Sequence, residues 1–274
     1  MEPTTRSEAP AGSLRAGLAD LKAGLRQWPL WWSLPVEKVK ASYSRTYLGM
    51  LWMTLTTVVF VAGLSLLFGV LLGQDLKAFI PYVAIGFIGF TWMISMVTGG
   101  AACVTSSAAY LKTTPGPRSV YAIQVVTLPT LQFLHDALVI ALVIIIFDVP
   151  VGLSLILVPI ALVLIVVNGV ASAMWLGPLC ARFPDVGQLV SLVTRILFFF
   201  TPIFWTTTEV DRQQLLLLAG WNPLTYFLEA FRAPLLGQWP LPAIFAGVLL
   251  ITAVNGIVGF LAFARTRTRW AYWA

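Results

Sequence analysis

The sequence predicts an all-α integral membrane protein. It has six transmembrane helices, an N-terminal amphipathic interface helix, and short re-entrant outer helices between spans five and six. Three observations carry this. Of 274 residues, 59% are hydrophobic and 10% charged, whereas soluble domains hold about a quarter charged residues. Uncharged runs recur at the roughly 20 residues that a bilayer crossing needs. The basic residues gather at the ends of those runs, where the positive-inside rule puts them.

The N-terminal segment, residues 1–47, is polar and basic and lacks the apolar core of a cleavable signal. Within it Leu14, Leu18, Leu21 and Leu25 recur at helical spacing, with Arg15, Lys22 and Arg26 on other faces. Trp28, Trp31 and Trp32 follow. Leucines on one face and tryptophans at headgroup depth describe a helix lying in the interface, as an anchor or as a lateral gate for lipid.

The transmembrane domain, residues 48–264, divides into runs 48–72, 78–104, 120–147, 151–180, 186–205 and 241–264. Residues 265–274 form a cytoplasmic tail. With six spans both termini share a side. The segments on that side hold thirteen basic residues: Arg6, Arg15, Lys22, Arg26, Lys38, Lys40, Arg45, Lys112, Arg118, Arg182, Arg265, Arg267 and Arg269. The opposite segments hold three, Lys77, Arg212 and Arg232. Both termini are therefore expected in the cytoplasm. The same clustering makes the net charge of +6 a matter of topology and not of nucleic-acid binding.

Catalytic chemistry finds little support. There is one His, and there is no HExxH, G-x-S-x-G or metal-spaced Cys/His cluster. His135 and Asp136 are adjacent on a helix and point about 100° apart, so they do not form an acid–base pair with each other. No Gly-rich loop ends in Lys-Ser or Lys-Thr, so ATP is not expected to bind here in that way. Cys103 and Cys180 lie far apart in or near apolar runs and read as packing residues. The ionisable residues inside spans, Asp136 and Arg195, need a reason to be there: a polar contact between helices or a channel wall.

Two polar interruptions are informative. In the inner loop SSAAYLKTTPGPRSVY, Ser106 and Ser107 are expected to cap a short helix that Pro115-Gly116-Pro117 ends. The outer segment between Trp205 and Leu241 holds two apolar pieces, 215–221 and 224–236, each too short to span. Asn222 is expected to cap the second and Pro223 to open it. Leu224, Phe227, Leu228 and Phe231 would form its apolar face, with Thr225, Glu229 and Arg232 turned to a water-filled path. Such a helix reads as the outer lid of a channel or as a hairpin sealing a dimer. Phe199, Phe204 and Tyr226 would border it, where aromatic faces suit sugars or an interfacial belt.

Four stretches resemble one family, the permease subunits of ABC exporters that move lipid-linked polysaccharides such as O-antigen, teichoic acid and capsule. They are KVKASYSRTYLGMLW, with Lys40, Tyr43, Arg45, Leu48, Gly49 and Trp52; ARFPDV, with Arg182 and Asp185; FFFTPIFW; and NPLTYFLEAFRAPLLG. Ser42 and Ser44 stand where the family often has arginines. The resemblance implies a bacterial inner-membrane homodimer with two copies of a separate nucleotide-binding subunit, which binds ATP and Mg. It also implies a substrate built on undecaprenyl diphosphate. It makes the loop holding Ser106, Tyr110, Lys112 and Arg118 the coupling helix, and the Arg182–Asp185 loop a smaller second contact. Exporters of drugs or small lipids, and membrane enzymes acting on polyprenyl-linked sugars, are the alternatives.

Overall fold

In a computed structural model the described residues are 13–44, 47–49, 51–205 and 219–274. Arg45, the lead-in basic residue, and residues 215–218 of the first outer apolar piece lie outside them, as does the Tyr43 side chain.

Helix α1 (Leu14–Arg26) starts at Ser13, whose hydroxyl accepts from the Ala16 N–H at 3.2 Å. Its orientation suits the leucine stripe of an interface helix. Leu14, Leu18 and Leu25 point outward, while Gly17, Asp20 and Gly24 face the protein. In lipid the leucines need no protein partner, and small residues let helices approach closely. A Cβ on Gly17 would lie 2.9 Å from the Ala264 Cβ. Helix α2 (Trp28–Tyr43) continues along the third span and leaves Trp28 and Trp32 exposed.

The spans are α3 (Leu51–Leu71), α4 (Leu76–Ala101), α7 (Ser119–Ile146), α8 (Leu157–Arg182) and α11 (Pro242–Thr266). Among the described residues these five helices are long and apolar enough to cross a membrane, α8 with the short 3-10 turn before it. The expected fifth crossing coincides with a shorter helix. Helix α9 (Pro184–Phe200) has 17 residues, about 26 Å, against a hydrocarbon core of about 30 Å. It stops because Pro202 pushes Thr201 into an extended conformation, φ −91° and ψ 134°. Helix α10 (Pro223–Leu235) resumes the path. Its first residues meet Thr201, and its end meets the turn before α8, where the Ser154 hydroxyl donates to the Pro234 carbonyl at 3.2 Å. The short outer helix thus meets the end of α9 at Thr201 and the turn before α8 at its other end.

Helix α4 is the hub and packs on α3, α7, α8, α9 and α10. By contrast α3 buries only Val61, Ser65 and Gly69, one residue every fourth, and presents the rest outward. Between α4 and α7 lie the short helices α5 (Cys103–Ser106) and α6 (Ala108–Thr113). The tail after the last span is not free: α12 (Trp270–Trp273) folds back on α5, α6 and α8.

Gly237 holds the outer turns together. Its φ is +73°, and a Cβ there would collide with the Pro150 carbonyl oxygen. Gly73 shares the left-handed backbone, φ +63°, with nothing nearby. Gly237→Ala should therefore cost about 1–3 kcal/mol more than Gly73→Ala, overpacking being added to backbone strain. Comparing thermal midpoints of the two purified variants tests this, and equal losses would contradict the Pro150 contact.

Candidate transport site

The break after α9 leaves backbone groups without helical partners in apolar surroundings, where each would be costly. Side chains from α4 and α10 meet them. Nη1 of Arg232 donates to the Pro202 carbonyl at 2.6 Å, and the Asn222 amide donates to the Thr201 hydroxyl at 2.7 Å. The Tyr82 hydroxyl, from α4, donates to the Trp205 carbonyl at 3.0 Å. Arg232 also pairs with Glu229 one turn back, and its guanidinium lies 3.7 Å from the centre of the Tyr82 ring. Gly86 and Gly89 open α4 to this assembly: Ile203 and Arg232 sit over the first, Leu228 and Phe231 over the second.

This geometry changes the expected role of the α10 charges. Arg232 is only 1% exposed and is spent on internal bonds, so it does not face an open water path. The physical reason is the Pro202 carbonyl, freed from helical pairing, which the guanidinium reaches at 2.6 Å beside the longer Tyr82 hydroxyl contact at 3.4 Å. Glu229, with a quarter of its side chain exposed, keeps partial access. Asn222 caps α10 as expected, accepting from the Leu224 N–H at 3.0 Å, with Pro223 at the first position. Tyr226 covers Gly247 of α11 and donates to the Gly220 carbonyl at 3.2 Å.

The aromatic residues divide. Phe204 stacks on Phe68 of α3 at 4.4 Å and lies 5.6 Å from Phe198, so it packs helices together. Phe199 is 66% exposed. Arg195 shares an exposed face of α9 with Leu192, Ile196 and Phe199. Asp136 is elsewhere: it accepts from the Thr57 hydroxyl of α3 at 2.9 Å. The structure does not bring Asp136 and Arg195 together, and for Asp136 the polar helix contact is what it shows.

At the other end of the molecule α5 and α6 make a small shelf. Leu111 is buried against Cys103, Val104, Tyr121, Phe263 and Trp270, while Ser106, Tyr110 and Lys112 are exposed. Burial pushes the Cys103 thiol up to about 12, so it stays neutral and serves as packing. The short helix forms where expected and ends before Pro115, but neither serine caps it: the Ser106 hydroxyl donates to the Cys103 carbonyl at 3.4 Å, and Ser107 makes no side-chain cap bond. Arg182 and Asp185 are exposed beside the shelf, with Arg182 5.6 Å from the Trp273 ring centre.

Two arrangements were not foreseen from the sequence. Asp20 of α1 accepts from the Arg118 and Ser119 N–H groups at 3.2 and 3.0 Å and from the Ser119 hydroxyl at 2.9 Å. It thereby caps α7 from nearly a hundred residues away and also pairs with Arg267 at 3.3 Å. Between α8 and α11, Asn168, Ser172, Thr252, Asn255 and the Trp175 indole N–H form one hydrogen-bonded ladder. The signal for the ladder was the Val-Asn-Gly triplet that recurs at 167–169 and 254–256 within apolar runs.

With this geometry in view, the comparisons are specific. The family model described as ABC-2 type transporter matches residues 30–236. The chain belongs to the ABC-2 type transporter family. The ABC-2 match takes in most of α2, the shelf, the end of α9 and all of α10. Similar proteins include two described as O-antigen export system permease protein RfbA. One, from Myxococcus xanthus, is 23% identical over 202 residues, 73% of this chain and 78% of its own length. The other, from Klebsiella pneumoniae, is 22% identical over 237 residues, 86% of this chain and 91% of its own length.

Removing Arg232 from this ABC-2 chain leaves the Glu229 carboxylate without its guanidinium partner and the Pro202 carbonyl with the longer Tyr82 hydroxyl contact, 3.4 Å. Breaking a buried pair costs about 3–5 kcal/mol, discounted here because Glu229 is partly exposed. Arg232→Ala should thus destabilise more than Glu229→Ala, and Arg232→Lys should recover only part of the loss. Unfolding midpoints in detergent give the order; Glu229→Ala as the worst of the three would contradict the bracket.

Proposed function

We propose that this chain is the membrane-spanning subunit of an ATP-driven exporter of a lipid-linked polysaccharide of the O-antigen kind. It would act as a homodimer with two copies of a nucleotide-binding subunit, in the bacterial inner membrane with both termini cytoplasmic. ABC-2 membership supports the transporter class, and the printed names of the two relatives support the polysaccharide. The resemblance described above supports undecaprenyl diphosphate as the carrier. The observation that carries the mechanism is the broken crossing between the shelf side and the outer turns, because it gives one element with a contact at each end.

On this reading Tyr110 and Lys112 of α6, with Arg118, Arg182 and Asp185, receive the ATPase, and Ser106 lies at the edge of that contact. Helix α9 begins beside it at Asp185 and ends at Thr201, where Asn222 and Arg232 tie it to α10. A push at the inner end is carried along one rigid helix to the outer one. Helix α10 then acts as the outer lid by moving as a packed unit, with Glu229, Tyr226 and Phe199 nearest the path. Five continuous spans and the broken pair return the chain to its starting side, which agrees with the thirteen-to-three basic asymmetry. Trp28, Trp31 and Trp32, with the Tyr43–Arg45 lead-in, set the interface helices at headgroup depth, where the lipid carrier would arrive.

Deleting the gene in its own host should abolish the surface glycan and leave lipid-linked glycan in the cytoplasmic leaflet. Unchanged surface glycan, with no accumulation, would refute the substrate assignment. Tyr110→Ala with Lys112→Ala should lower co-purification of the ATPase while the membrane subunit itself stays intact; full co-purification would move the docking site. For topology, a cysteine at Thr114 should resist an impermeant thiol reagent in intact cells and one at Gln238 should react, and the reverse pattern would invert the assignment.

A further inference from the structure

A cavity of about 750 Å³ lies between α4, α8, α9 and α11 and is roofed by the first residues of α10. Along α8 it reaches from Ile165 to Leu176, eleven residues or about 16 Å, close to the depth of one leaflet, half of a core of about 30 Å. It opens sideways between α9 and α11. The α11 rim is Leu250, Val254 and Val258, each exposed and spaced four residues apart; the α9 rim includes Leu189 and Val193, also exposed.

The contents of such a space are constrained. Water needs two to four polar partners to enter. The polar groups on the wall, the amides of Asn168 and Asn255, bond to each other and to Ser172, Thr252 and Trp175. An empty cavity of this volume would forfeit the dispersion contacts of its whole lining. Hydrocarbon satisfies the walls, and the rim faces the bilayer that supplies it. The inner mouth adds a charge preference. Arg265 lies seven residues beyond Val258 on the same face of α11 and is exposed; Arg182 lies seven beyond Trp175 on α8. Asp185, four residues before Leu189 on α9, is the carboxylate there, so the two arginines leave the mouth positive.

We propose that this cleft is a binding site for one anionic phospholipid of the inner leaflet, with an acyl chain against the α8–α11 ladder and the phosphate at Arg265. The lipid is then the packing partner of the side of α9 that protein does not cover, and it sits beneath α10 where the broken crossing is joined. The site does not depend on which substrate is exported.

The test uses the full-length chain in nanodiscs containing phosphatidylglycerol that carries a photoreactive diazirine midway along one acyl chain. Cross-links should concentrate on peptides holding Val193 and Val254 relative to the lipid-facing Val59 of α3, and unlabelled phosphatidylglycerol should compete them away. Labelling through the same diazirine on phosphatidylcholine should be weaker by about fivefold, the factor one basic side chain near an anionic surface supplies. Arg265→Ala, an exposed position, should erase that headgroup preference while acyl labelling persists. Filling the cleft with Val254→Trp should block labelling at Val193; if that variant fails to fold, saturable competition on the native chain decides in its place. Labelling equal to that of Val59, or labelling that competitor does not reduce, would overturn the site. A disulfide between Val254→Cys copies would also overturn it, by showing that a second protomer covers the cleft.

Discussion

One carbonyl freed from helical pairing, that of Pro202, sets the requirement that this half of the protein meets. A proline ends α9 inside an apolar region, and lipid offers the freed backbone nothing. A guanidinium answers it, because its planar fork serves the Pro202 carbonyl, the Glu229 carboxylate and the face of Tyr82 at once. From that follow the glycines of α4 that admit the group, the burial of α10 on nearly every side, and the anchoring of its end on the turn before α8. Here a buried charge is the answer to a structural defect, the end of α9 at Pro202.

The opposite end follows the same logic with a carboxylate. The first N–H groups of α7 lack partners within their own helix, and Asp20 supplies them from α1 while holding Arg267. This joins the interface helix, the start of the third span and the chain after the last span into one unit. The interface helix is thus fixed by its polar and small residues and by Leu21, and Leu14, Leu18 and Leu25 are left for lipid. A helix swinging freely as a gate would have to release four hydrogen-bonding contacts at Asp20.

Much of the architecture was legible in the sequence because composition and charge placement are direct consequences of the bilayer. Helix α6, the Asn222 cap and the short outer helix were likewise legible, since proline and Asn-Pro act locally. What could not be read was set by contacts distant in sequence. The inward turn of Arg232 depends on Pro202, thirty residues earlier, and an i, i+3 pair with Glu229 looks the same whether it faces water or protein. The role of Asp20 depends on Arg118 and Ser119. The leucine stripe of α1 was correctly seen as a face, but hydrophobicity alone does not say whether lipid or protein covers it. Asp136 and Arg195 share a chemistry that invites pairing, and only the helix arrangement separates them.

The fold-back of α12 has a consequence for biogenesis. The shelf formed by α5 and α6 is short and rests on Leu111, whose cover includes Phe263 and Trp270. Those residues leave the ribosome several spans after the shelf itself. Until they arrive, the shelf lacks its backing, and the surface proposed to receive the ATPase is incomplete. The order of synthesis therefore makes readiness for assembly coincide with completion of the last span, so a chain stalled midway displays no finished shelf to engage.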